Sequence, residues 1–429
     1  MKKFLSLLMA AMMLLSICSV ALAEDTTIRI MWWGDTARHE KYNKIMDAFE
    51  AENPGIKVER LTATWADYWS KLPTMVAGGD APEVMGMHAQ YVADYAGRSA
   101  LYDLTSLVEK GILDTTDIPA SVQANGVVGG KLIGIPMGLT VQTLMINKTL
   151  CEEVGFEYPI DEVVTWSQFA ELCKEFRAKA LEKGIDAYLI GEVTGYTAYQ
   201  YWVRSNGRDL YTADGQLGST VEDAEGWWGY WKALRDADAI PDAETVAEAA
   251  TATLEQNLFS TKRVAMFNLP VNQLWQYVAY LANDELDVCH MPKGDNGVTG
   301  AFIEGALWSI SASVAEDKVE AAGKLLDFIA NKEGAAQYML MDQGVPCNTK
   351  MAEYISPMLD APNVTAINFV NEVATFVEKG INFAPTGANA IDTVFGDCRE
   401  AVAFEAMTPA EAAASFVEQA NAIIEENKK

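Results

Sequence analysis

The chain has 429 residues, 32 of them basic and 60 acidic, for a formal charge of −28. That excess of negative charge disfavours nucleic acid and anionic membrane surfaces as partners, because both repel it. Only three histidines occur, and there is no CxxC or HExxH pattern, which argues against a metal centre.

The chain opens on a leader. Lys2-Lys3, the apolar run Phe4 to Val20 and the small-x-small Ala21-Leu22-Ala23 read as a secretory signal peptide cut after Ala23. Cys18 offers a lipid anchor as the alternative, but Ile17 stands where that signal takes a small residue. No later run holds the ~18 uninterrupted apolar residues of a membrane span. Losing Lys2 and Lys3 takes 32 basic residues to 30 against 60 acidic, a charge of −30. Roughly 400 residues remain, which at about 150 per domain predicts two or three domains. Cys151, Cys173, Cys289, Cys347 and Cys398 are odd in number and widely spread, so they read as buried thiols, with one unassigned pair left open.

Ile28 to Phe49 reads as a strand, a turn and a helix. Ile28, Ile30 and Trp32 alternate with Arg29, Met31 and Trp33, the period of a pleated ribbon. Gly34 breaks it, and Asp35 or Thr36 can cap the helix that follows. Tyr42, Ile45, Met46 and Phe49 form one apolar face, and Asn53-Pro54-Gly55 stops the helix before a second strand, Ile56 to Leu61. This strand–helix–strand unit predicts an α/β sheet, whose ligands sit at the carboxyl ends of its strands.

Thr64-Trp65-Ala66-Asp67 resembles a capping box, opening a helix that Pro73 kinks. Glu83 to Met87 is a short buried strand, with His88 and Gln90 just past it. Gly129-Gly130 marks a hairpin-type turn. The long apolar run after Lys131 is interrupted at Pro136, Gly138, Thr140 and Gln142, so it reads as a strand that leaves one sheet, bends and enters another. Thr165 to Gln168 is a second capping box, Ala187 to Gly191 a buried strand, and Tyr196 to Val203 a helix. Asp214-Gly215 signals a hairpin. Trp227, Trp228 and Trp231 at helical spacing read as core. Val264 to Phe267, Leu286 to Val288 and Phe302 to Ile310 are strands. A helix follows through Val319, Ala322, Leu326 and Ile329, and Thr408-Pro409-Ala410-Glu411 caps a last helix running to about Glu425.

These segments together resemble family 1 extracellular solute-binding proteins, the carbohydrate-binding class that feeds ABC importers and is related to maltose-binding protein. The likeness lies in WWGDTARHEKYNKIMDAFEAENPGIKVE, TATWADYWSKLPTMVAGGDAPEV, GKLIGIPMGLTVQTLMINKTL, TWSQFAELCKEF, STKRVAMFNLPVNQLW, EGALWSISASVAEDKVEAAGKLLDFIANKEGAAQYML and GVPCN, in that order and spacing. It implies a two-lobe periplasmic-binding-protein fold, type II-like, with the ligand cleft between the lobes and about three crossings near Gly138–Gln142, Asp287–Lys293 and Cys347–Ala352. Residues 24–138 and 293–347 then form one lobe and 142–287 and 352–429 the other, with 139–141, 288–292 and 348–351 as hinges. The first crossing coincides with the interrupted strand read above.

The resemblance also implies a sugar ligand, ABC-transporter permease subunits as partner, a monomer, and no cofactor. A sugar offers C–H faces to flat rings and hydroxyls to amides and carboxylates. Trp33, Asp35 and Thr36 follow the first strand, and Trp65 opens its helix. His88 and Gln90 lie where relatives place ligand contacts, although relatives often carry a charged pair there. Thr140 and Gln142 sit at the first crossing; Glu192 and Tyr196 follow a second-lobe strand. Asn272 and Trp275 occupy a turn where relatives present an aromatic ring. Glu304-Gly305 matches a glycine-rich turn with one glycine replaced, and Asn389 stands in the last segment. Two rivals share these residues: a glycosidase pairing Asp35 with Glu192, and the same fold holding a cationic or peptide solute through Asp35, Glu192 and Glu304.

Overall fold

The computed structural model describes residues 25–377 and 382–428. The leader, Cys18 and the cut after Ala23 lie outside the described residues.

Strand β1 (Thr26–Trp33) feeds helix α1 (Thr36–Glu52), β2 (Ile56–Ala63), α2 (Trp65–Ala77), β3 (Val84–His88) and α3 (Ala89–Gly97). After a small hairpin of Val127–Val128 with Lys131–Leu132, the strands of the two larger sheets continue with β4 (Ile135–Pro136) and β5 (Gly138–Asn147). Helices α4 (Trp166–Glu182), α5 (Tyr196–Ser205) and α6 (Val221–Asp236) follow, then β6 (Met266–Pro270), α7 (Leu274–Tyr280) and β7 (Leu286–Cys289). The remainder is β8 (Ile303–Glu304), β9 (Ala306–Ile310), α8 (Val319–Asn331), α9 (Glu333–Met339), β10 (Val345–Pro346), α10 (Thr349–Ile355), α11 (Ala361–Ala374), α12 (Ala388–Ala403) and α13 (Pro409–Asn427).

The first sheet runs β2-β1-β3-β9-β4. β1 is parallel to β2 and β3, while β9 is antiparallel to both β3 and β4. Its two faces are both covered, as a parallel sheet requires. Ile28, Ile30 and Trp32 pack with Tyr42, Ile45 and Phe49 of α1. Met31 and Trp33 turn the other way, onto Tyr68, Leu72 and Tyr91. The second sheet is organised on β5, which pairs with β10 and β8 near its start and with β6 and β7 farther on. Around it a large aromatic core encloses Trp227, Trp228 and Trp231, each fully buried. The five cysteines among the described residues are buried and free.

The crossings between sheets meet at one point. β4 belongs to the first sheet and β5 to the second, so one passage lies between Pro136 and Gly138. A return at Asp287–Lys293 was the expectation from sequence, and the structure corrects it. β7 pairs with β5, and Lys293 exchanges backbone hydrogen bonds with Val164 and Trp166, so this segment stays in the second lobe. The chain returns at Gly305, between β8 in one sheet and β9 in the other. Residues 293–304 therefore leave the first lobe. The expected single strand Phe302–Ile310 is two strands for the same reason. β10 makes the third passage, its Val345 opposite Leu139 and its Pro346 opposite Gly138. A Cβ on Gly305 would fall on the Gly138 carbonyl, one on Gly138 on the Gln343 carbonyl, and one on Gly344 on the Leu139 carbonyl. Only glycine lets three backbones approach so closely.

Ala187–Gly191, expected as a strand, makes only a bridge from Tyr188 to Val264. Pro73 sits inside α2 without ending it.

Candidate functional site

Asp35 is the N-cap of α1: its Oδ1 accepts from the Arg38 amide at 2.9 Å. Thr36, the first helical residue, is exposed. The cap thus holds a carboxylate at the carboxyl end of β1, beside Trp33.

Trp33 is 7% exposed and is a supporting ring more than a surface. Trp65 stands edge-on to it at 5.2 Å, with Tyr68 at 5.1 Å and Trp69 at 5.6 Å. Trp65 also meets His88 edge-on at 5.3 Å, and Trp69 meets Tyr91 at 4.2 Å. Of this cluster Trp65 is the most exposed ring, at 41%. Buried rings underneath fix its orientation, which leaves a rigid apolar platform. Trp65 and Trp69 share a helix face at i, i+4. The Trp69 indole N–H is buried without a hydrogen-bond partner among the described residues.

A polar line runs from this platform to the hinge. His88 Nε2 lies 3.9 Å from Glu304 Oε2, and Gln142 Nε2 donates to Glu304 Oε1 at 2.7 Å. Burial pushes the Glu304 carboxyl up to about 7 against the lowering effect of Gln142, and pushes the His88 imidazole down to about 4. Both groups are thus held toward their uncharged forms. One residue on, Gly305 offers backbone only.

A second network lies under the N-terminus of α1. Thr140 Oγ1 donates to Asn272 Oδ1, and Asn272 Nδ2 donates to the Asp342 carbonyl, both at 2.7 Å. Arg38, itself buried, donates through Nε to Asp342 Oδ2 at 2.6 Å and through Nη2 to the Asp342 carbonyl at 3.1 Å. Trp275 is half-buried, and Lys41 of α1 lies 3.5 Å from its ring centroid.

The lobes also meet at α3 and α12. The Tyr91 hydroxyl donates to Asp392 Oδ2, and the Gly387 amide to Asp94 Oδ1, both at 2.7 Å. Asn389 lies against the Tyr95 hydroxyl. Gln90 falls in α3, but its side chain is outside what is described.

Trp33, Asp35, Trp65, His88, Gln142 and Glu304 therefore share one region, with Thr140, Asn272 and Trp275 beside the hinge. Glu192 does not join them. It is buried in the second lobe and ion-paired with Arg235 of α6, so its carboxylate is committed within the core. Tyr196 is buried too, its hydroxyl sharing a 2.7 Å hydrogen bond with Tyr211. Sequence reasoning missed Trp69 and Tyr91, although the i, i+4 spacing from Trp65 could have found the first. Arg38 and Asp342 are 304 residues apart, and nothing local links them. A small apolar cavity lined by Ile135, Trp308, Met339 and Cys347 belongs to the first lobe's core, not to the gap between lobes.

Comparison with known proteins places these observations in context. The model of one family, described as bacterial extracellular solute-binding protein, matches residues 44–366. A protein of Brucella abortus named as a binding protein is 24% identical over 405 residues, covering 92% of this chain and 94% of its own. A protein of Escherichia coli named as an ABC transporter periplasmic-binding protein is 21% identical over 323 residues, covering 72% and 69%. Among solved structures, a periplasmic oligogalacturonide binding protein from Yersinia enterocolitica, in complex with saturated digalacturonic acid, matches with TM-score 0.80 and 21% identity over 94% of this chain and 100% of that one. An ABC substrate-binding protein from Listeria monocytogenes, in complex with cycloalternan, matches with TM-score 0.78 and 22% identity over 93% and 98%. At these identities the structural likeness is one of fold.

Proposed function

Because this chain belongs to the bacterial extracellular solute-binding proteins, we propose that it captures a sugar or oligosaccharide between its lobes and delivers it to an ABC transporter by hinge closure. The family is one of binding proteins, and its members work outside the cytoplasm. The observation that carries the sugar reading is Trp65, an exposed ring on a buried aromatic base, next to the line His88–Glu304–Gln142. The ring suits a pyranose C–H face, and the polar line suits its hydroxyls. The oligosaccharides held by the Yersinia and Listeria neighbours support the same reading.

Trp33 supports the platform, and Asp35, Thr36, Thr140, Asn272, Trp275, Gly305 and Asn389 line the gap around it. Ligand contacts from both lobes coexist only when the lobes are together, so the ligand shifts the population toward closure. A membrane permease then reads the closed form, which acts as a monomer, free or anchored. The pairing of Glu192 with Arg235 supports binding over hydrolysis, since the glycosidase rival needs that carboxylate. It also removes one of three acids from the cationic-solute rival.

A thermal-shift panel of neutral and acidic mono- and oligosaccharides tests the proposal, because a ligand of the native state raises its melting temperature. A shift with intact recovery of the sugar supports it. No shift with any sugar, together with a salt-sensitive shift from a polyamine, overturns it.

A further inference from the structure

Direct contacts join the lobes on either side of Trp65. The first set lies between α3 and the segment that leads into α12. Tyr91 donates to Asp392, and the Gly387 amide donates to Asp94. Phe383, just before α12, packs against the first lobe's ring cluster. The backbones come so close that a Cβ on Gly97 would lie 2.2 Å from Thr386 Oγ1 and 3.5 Å from Thr386 Cβ. The second contact lies beside the hinge. The Lys41 ammonium of the first lobe sits 3.5 Å from the ring centroid of Trp275 in the second, and at the same time 3.8 Å from Asp342 Oδ1. One cation thus holds a second-lobe ring against the first lobe, and it covers a face of that ring. Trp65 stands between the two contacts. Its ring is 6.4 Å from Tyr91 on one side and 5.3 Å from His88 on the other, where the polar line through Glu304 begins. Thr140, opposite Glu304 in the sheet, continues that line through Asn272 to the Asp342 carbonyl.

We propose that these contacts are end walls, and that the site between them takes a short sugar whole, a mono- or disaccharide, and rejects internal stretches of longer chains. The inference rests on the sugar reading for its ligand and narrows that reading in length. Trp65 is the platform, and Trp275, with Lys41 on its face, is part of a wall. A longer chain has to displace the Tyr91–Asp392 hydrogen bond at one end or the Lys41–Trp275 pair at the other. Each displaced group loses a partner it now has, so added length costs affinity here, whereas an open-ended groove gains contacts with every ring.

Two measurements test it. The first needs no sugar. G97C/T386C sets two cysteine Cβ atoms 3.5 Å apart, within the span of about 3.5–4.5 Å that a disulfide bridges. Oxidised glutathione, which takes up the two electrons and two protons, closes the bond, and mass spectrometry finds one peptide pair linked across the lobes. Free thiols at both positions would overturn the wall whether or not any sugar binds. The second is a chain-length series, from monosaccharide to hexasaccharide, in malto-, cello- and galacto-oligosaccharides, read by calorimetry. Affinity peaks at the mono- or disaccharide and falls about tenfold by the tetrasaccharide. Affinity that holds or climbs with length overturns the proposal. Trp275→Ala, which opens one end, narrows the difference between short and long sugars, and a difference unchanged or widened overturns the wall at that end. Failure of every sugar refutes the sugar reading and the size limit built on it, while a cross-link formed in G97C/T386C leaves the wall standing and tells the two failures apart.

Discussion

Glu304 gives the sharpest quantitative test. Its carboxyl is buried at the return crossing, with one hydrogen bond from Gln142 and the His88 ring 3.9 Å away. Burial raises it from 4.5 to about 7. At 1.36 kcal/mol per unit, the folded state prefers the protonated acid by about 3 kcal/mol more than the unfolded chain does. Because the folded value is the higher, this stabilisation is fully present below about pH 4.5 and is lost as pH rises through about 7. Between pH 5.5 and 8.5 the loss is about 2 kcal/mol. Glu304→Gln mimics the neutral acid and cannot lose a proton. Its melting temperature should therefore rise relative to the unaltered protein across that range, by about 2 °C at the alkaline end. Thermal unfolding of both proteins at half-unit pH steps measures the difference, and taking the difference cancels the other carboxylates. Parallel curves across the range would refute the reasoning, since Glu304 would then ionise as an exposed acid does.

Three further outcomes follow from the geometry. Trp65→Ala should weaken sugar binding about tenfold with little change in stability, whereas Trp33→Ala should cost about 3–5 kcal/mol in denaturant unfolding, because its ring is packed on all sides. Arg38→Met should cost about 3 kcal/mol by leaving the buried Asp342 carboxylate with only the more distant Lys41 ammonium as a charged partner; adding Asp342→Leu should recover part of that loss, as read by urea denaturation. Gly305→Ala should destabilise by more than about 1 kcal/mol because its Cβ would meet the Gly138 carbonyl, whereas Gly195→Ala, with open space at that position, should not; circular dichroism melts compare the two.

Much of the first lobe was legible because its signals are local. The alternation from Ile28 to Trp33, the Asp35 cap and the face Tyr42-Ile45-Met46-Phe49 each depend on neighbours within eight residues, and each appears in the structure as read. The return crossing was not legible. The resemblance puts residues from 293 in the first lobe, but backbone bonds to Val164 and Trp166 hold Lys293 in the second. Gly305 shows as a crossing only when Gly138 is seen against it. Among the candidate residues, Trp65 and His88 stand at a helix start and a strand end, positions that local signals mark. Glu192 looked equally well placed, and its partner Arg235 lies 43 residues away on another helix. Charge pairing over such distances in sequence decides which acids are committed within the core, and periodicity carries no trace of it.

The meeting of Gly138, Gly305 and Gly344 has a consequence for how such a protein can diverge. If the lobes close as proposed, the pivot is main chain alone, so the axis of that motion would be set by the peptide path and not by the side chains of the candidate site. On that proposal, substitutions at Trp65, His88 or Trp275 would change the chemistry of the candidate site and leave that axis in place. Movement and choice of ligand would then be separable inheritances.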